Sequence, residues 1–189
     1  MVTNVKYFVA LLGLGLLSFW GEVRGDDDDK PLDNSVKPAV ESLPSFNLPD
    51  PSGASHTNAE LNGKKTIIVV TVPTKEQGGN QKAWVSGIIE QNPGAGKDYN
   101  LILLQDMTQS GNKEMVMDNL KKSWKPGNPT LILVDDAATF RSALEAQRGL
   151  MTDKTTVLVY DESGKLVYFD RTKPTVTAVK ALSGKLSAK

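Results

Sequence analysis

Residues 155–170, TTVLVYDESGKLVYFD, decide the architecture. The first half is a continuous run of Val, Leu and Tyr, the pattern of a strand covered on both faces. Asp161-Glu162-Ser163-Gly164 then reads as a turn with glycine at a left-handed position, and residues 165–170 as the returning strand. The spacing predicts a β-hairpin near the end of the chain. A helix opening at Pro174 follows it, carrying Val176, Val179 and Leu182 on one face.

Working back from the hairpin, three more apolar runs have the same character: TLILVDD (130–136), NLILLQD (100–106) and TIIVVTV (66–72). Between them lie segments of helical period. Residues 80–91 align Trp84, Val85, Ile88 and Ile89; residues 112–124 place Val116, Leu120 and Trp124 at steps of four; residues 137–147 carry Phe140 and Leu144. The order is β, α, β, α, β, α, β-hairpin, α, an α/β layered fold with a mixed sheet. Met115, Met117 and Trp124 are assigned to its core rather than to a haem or copper site. Order begins near Leu43, where LPSFNLPDPSG reads as a short extended edge segment ending in a turn.

The chain has 189 residues, enough for one domain with appendages. Its 22 basic and 22 acidic side chains cancel, which speaks against nucleic acid as a partner. There is no cysteine, so disulfides, thiolate metal sites and every thiol mechanism are excluded. At the start, Lys6 precedes the apolar run YFVALLGLGLLSFW (7–20), which has the length of a signal-peptide core. Residues 1–25 are expected to be a signal peptide, cleaved after Gly25, or else an uncleaved anchor. Only in the second case does the chain meet a membrane, and in both its globular part is secreted or periplasmic. Residues 26–42, opening with DDDDKP, read as a flexible acidic linker, and residues 43–189 as the domain.

PSFNLPDPSG followed by LNGKKTIIVV, and the closing TTVLVYDESGKLVYFD, together resemble the thioredoxin superfamily. The likeness is to its extracytoplasmic thiol-disulfide oxidoreductase and peroxiredoxin-like branch, and covers about residues 43–187. It implies a three-layer thioredoxin-like fold with a central mixed sheet, an inserted βα unit at 130–147, and a C-terminal hairpin plus helix. The branch's functional residues do not carry over. Counting from Pro73, the peroxiredoxin Thr and Cys positions hold Gln77 and Asn80; the Cys-x-x-Cys position holds Gly78-Gly79-Asn80-Gln81; and Lys154 stands where the family has its active-site proline. An amide has no ionisable nucleophile. The cysteine-free, extracytoplasmic YtfJ-type proteins are similar in layout.

Other chemistry is sparse. His56 is the one histidine, near Ser52, Ser55 and Thr57, and reads as a surface-loop side chain rather than half of a nucleophile pair. Asp135 and Asp136 end a strand and read as helix-capping groups. GAGK (94–97) lacks the remaining residues of a phosphate loop. No metal or cofactor is implied. Two functional readings stand: a redox-inactive module binding an unidentified protein or small ligand through the vacated thiol site (Gln77, Gly78, Gly79, Asn80, Lys154), or an enzyme using that groove with non-thiol groups such as Lys75, Glu76, Asn80 or Lys154. A divergent member of the thiol-disulfide and peroxide family, alike in fold only, is a further possibility. In the first reading Gly78 and Gly79 form a tight turn with free amides, and Asn80 caps the first helix.

Overall fold

The computed structural model describes residues 42–61, 63–125, 127–148, 154–171 and 173–187. The proposed signal segment and nearly all of the linker lie outside the described residues. Strand β1 (Asn47–Pro49) pairs antiparallel with β2 (Ser55–Thr57), and a short 3-10 helix, η1 (Asn58–Leu61), follows. The main chain of elements is then β3 (Thr66–Thr71), α1 (Lys75–Gln91), β4 (Asn100–Asp106), α2 (Lys113–Ser123), β5 (Thr130–Asp135), α3 (Thr139–Arg148), β6 (Thr156–Tyr160), β7 (Leu166–Asp170) and α4 (Val176–Ser187).

The five-stranded sheet has the order β5-β4-β3-β6-β7. β3, β4 and β5 run parallel, whereas β6 is antiparallel to both β3 and β7. The mixed sheet expected from the hairpin is therefore present. Its turn is closed by the Asp161 carboxylate, which accepts from the backbone N–H groups of Ser163 and Lys165, with Gly164 at φ 79°. Only glycine takes that conformation without strain.

β3 is buried along its whole length, as its unbroken TIIVVT demands of a central strand. Successive side chains point to opposite faces and feed two cores. Ile67 and Val69 join Trp84 and Ile88 of α1 and Val179 and Leu182 of α4. Ile68 and Val70 join Phe140 and Leu144 of α3 together with Phe46, Leu48 and Leu61 from the β1–β2–η1 flap. Phe46 meets Phe140 edge-on at 5.9 Å, an arrangement that adds about 0.5–1.5 kcal/mol to their burial. Leu120 of α2 and Trp124 just after it pack on the α1 face, where two successive parallel crossovers in the same direction must both lie.

Four expectations change. The first helix starts at Lys75 rather than residue 80, because the Thr74 hydroxyl caps it by accepting from the Gln77 N–H at 3.2 Å. The methionine face of α2 is not core: Met115 is 56% exposed, and the helix has no buried residue, since it flanks the sheet and touches the core only through Leu120 and Trp124. Val176 is 68% exposed in the first turn of α4, leaving Val179 and Leu182 to anchor that helix. The segment expected to be a lone extended edge is a hairpin with its own two-stranded sheet.

Candidate functional site

The segment joining β3 to α1 lies at the carboxyl end of the parallel strands, where open α/β sheets bind their ligands. After Thr71 the chain turns through Val72 and Pro73, with the Thr74 N–H donating to the Val72 carbonyl at 2.7 Å. Gln77 folds back into this turn. Its side-chain oxygen accepts from the Val72 N–H at 3.0 Å, and its backbone carbonyl accepts from the Thr155 hydroxyl at 3.3 Å. Gln77 is thus buried between the end of β3 and the start of β6. Thr74-Lys75-Glu76-Gln77 has the form of a capping box, Thr followed three residues later by Gln. Here the glutamine reaches two residues beyond the cap. That four-residue pattern was the available signal for the true helix start.

The other candidates are positioned less tightly. Gly78 and Gly79 lie inside α1; the Gly78 N–H donates to the Thr74 carbonyl at 2.9 Å and is not free. Neither has a left-handed backbone, and a Cβ built on either would meet nothing within 4 Å. Gly79 and Lys154 are exposed, and Gly78 and Asn80 half-buried. The structure therefore brings Gln77 beside Thr155, the neighbour of Lys154, and places Asn80 in the helix body rather than at its cap.

Behind this segment lies a layer that the sequence reading missed. Alternation along β3 and β4 turns Thr71 and Gln105, which are register partners, toward α1. Gln105 donates its amide to the Gln81 side-chain oxygen at 3.0 Å. The Thr71 hydroxyl and the Gln81 amide nitrogen are buried with no hydrogen-bond partner among the described residues. Polar residues closing otherwise apolar runs, Thr71 in TIIVVT and Gln105 in NLILLQ, are the trace this layer leaves in the sequence.

Three carboxylates at the same end of the sheet, Asp106, Asp135 and Asp136, have structural partners, whereas Lys75, Glu76 and Lys154 are exposed. The buried Asp135 carboxylate accepts from the N–H groups of Thr139, Phe140 and Arg141, capping α3 as expected. Asp136 pairs with Lys113 on the surface. Asp106, also buried, accepts from Thr108 and lies 3.6 Å from the Arg141 guanidinium. The arrangement offers amide and hydroxyl groups for hydrogen bonding.

Two small cavities sit at the other end of the sheet. One, about 160 Å³, is lined by Leu43, Lys64, Thr66, Tyr160 and Asp161; the other, about 320 Å³, by Lys65, Asn92, Tyr99 and Leu186. Neither contains a candidate residue. Burial and the nearby Asp98 push the Tyr99 phenol up to about 12, so it stays protonated and donates to the Asn92 carbonyl at 2.6 Å. His56, expected on a loop, is on β2 and is hydrogen-bonded through its two ring nitrogens to Asp50 and Glu60. The Ser52 hydroxyl donates to Asp50, not to the imidazole.

No family model and no curated protein matches the sequence. Solved structures do match in shape. The exposed lipoprotein thioredoxin of Streptococcus pneumoniae is 20% identical with a TM-score of 0.55, covering 75% of this chain and 99% of its own. A putative protein disulfide isomerase of Bacteroides thetaiotaomicron is 17% identical with a TM-score of 0.59, covering 80% and 92%. The Arabidopsis thaliana ScoI protein, solved with copper bound, is 14% identical with a TM-score of 0.56, covering 77% and 98%. These likenesses show that the chain has the thioredoxin-like fold.

Proposed function

We propose that this chain is a redox-inactive thioredoxin-like module that binds a protein partner through the surface at the start of its first helix, presented by Gly78, Gly79, Asn80 and Lys154 over the buried Gln77. One observation carries the reading: the Gln77 side chain accepts from the Val72 N–H and closes the strand-to-helix turn in a chain without cysteine. Neither of the two cavities described borders this face, and exposed, hydrogen-bonding groups suit a segment of protein backbone better than a small molecule enclosed in a pocket. The apolar run at residues 7–20 supports a place outside the cytoplasm.

The test is site-specific photo-crosslinking. A photoreactive residue at position 79 is expected to capture a discrete partner, one at the remote exposed position 184 is not, and Lys154→Glu is expected to weaken the capture at 79. Equal capture from both positions sinks the reading. So does turnover in a substrate screen that Lys154→Ala abolishes, which would make the face an enzyme's. Reduction of insulin disulfides by the pure protein is expected to be nil.

A further inference from the structure

We propose that His56 is a proton-operated latch: charged, it ties the β1–β2 hairpin to η1, and neutral, it releases one of its two carboxylate partners. Nδ1 lies 2.9 Å from the Glu60 carboxylate and Nε2 lies 3.3 Å from that of Asp50. An ionised carboxylate only accepts, and a neutral imidazole has a single N–H, so only the imidazolium satisfies both contacts at once. The two ring nitrogens point away from each other, so the three groups cannot converge on one metal ion.

Each tie has a defined role. The other Asp50 oxygen accepts from the Ser52 N–H and hydroxyl and from the Ala54 N–H, which builds the hairpin turn. The other Glu60 oxygen accepts from the Thr57 N–H, joining β2 to η1. His56 is the register partner of Leu48, which, with Leu61 at the end of η1, roofs the core on the α3 side. Loosening either tie therefore loosens the roof. Asp50 and Glu60 are the charged groups that act on the ring; β5, against which β1 lies, carries Asp135, whose carboxylate is occupied by the amides of α3.

Burial pulls the imidazole toward the neutral form, but its hydrogen bonds to Glu60 and Asp50 and their negative charges outweigh burial, so its pKa lies above the ordinary histidine value. The stabilisation is thus complete below the titration of a free imidazole and is lost as the pH rises through the folded-state value.

Because His56 is the chain's one histidine, its ring signals in NMR need no assignment. The ring is expected to titrate above a free histidine, and Asp50→Asn and Glu60→Gln are each expected to lower its midpoint. Hydrogen exchange at the Asp50, Ala54 and Thr57 amides, corrected for intrinsic rate, is expected to lose tenfold in protection for each pKa unit of elevation as the ring deprotonates. His56→Gln is expected to abolish that pH dependence; should this variant fail to fold, Glu60→Gln, altered at a half-exposed carboxylate, supplies the comparison. A ring titrating at or below the ordinary value, or hairpin protection that stays flat through the titration, overturns the latch.

Discussion

Replacing Gly78 and Gly79 by alanine should make the protein more stable. Both lie within α1, after the Thr74 cap, in ordinary helical backbone, and a methyl on either would enter open space. Alanine in a helix interior is favoured over glycine by about 0.5–1 kcal/mol, so the double variant should gain about 1–2 kcal/mol. For a domain of this size that is a rise in Tm of about 2–8 °C. Gly87 provides the contrast within the same helix. A Cβ there would stand 3.0 Å and 3.3 Å from the two Val179 methyls of α4, so the propensity gain is offset by overpacking of about 1–3 kcal/mol. Gly87→Ala should therefore be neutral or destabilising, and Val179→Ala should restore the gain through a coupling of about 0.5 kcal/mol or more. Urea unfolding followed by far-UV circular dichroism reads all of these. A loss of stability in Gly78→Ala and Gly79→Ala would mean that α1 does not start at Lys75 and that the glycines form a turn, which would refute the account of the site. If instead stability rises while Gly78→Ala abolishes capture from a photoreactive residue at position 79, Gly78 is there for the partner's approach.

Gln77→Leu keeps the bulk of the side chain but leaves the buried Val72 N–H without its acceptor, and should cost about 1–3 kcal/mol in urea unfolding; a neutral result would mean that the amide does not close the turn. At the other end of the sheet, burial raises the Asp161 carboxyl, but its hydrogen bonds to Ser163 and Lys165 and the Lys165 charge outweigh this and set it below the usual carboxylate value. Its contribution is present above the unfolded-state value of 3.8 and is lost as the pH falls through the folded one. Asp161→Asn should flatten the acid limb of a Tm-against-pH profile, and an unchanged limb would contradict the assignment.

The sheet was legible because strands buried on both faces leave unbroken apolar runs. β3 to β7 were each found within a residue or two, and the Asp161–Gly164 turn was recognised from its own chemistry. Helix faces were legible where they meet the sheet, at Trp84 and Ile88, and misleading on α2, where a step-of-four pattern is anchored only by Leu120 and Trp124. The first turn of α1 was obscured because two consecutive glycines read as a loop, and the decisive Thr74-to-Gln77 spacing went unread. The His56 contacts and the polar layer of Thr71, Gln81 and Gln105 depend on residues from separate elements. Periodicity along one segment carries no information about such meetings.

The strand order also has a kinetic meaning. β3 has β4 on one side, available soon after it in the chain, but its other neighbour is β6, which follows α2, β5 and α3. Until the hairpin is synthesised and folds back, a strand that ends fully buried has an open edge, the state in which chains associate with one another. The late pairing of Val70 with Thr156 and of Ile68 with Leu158 is the step that ends this exposure. A substitution that slows hairpin formation would therefore lower the yield of folded protein more than it lowers the stability of what has folded.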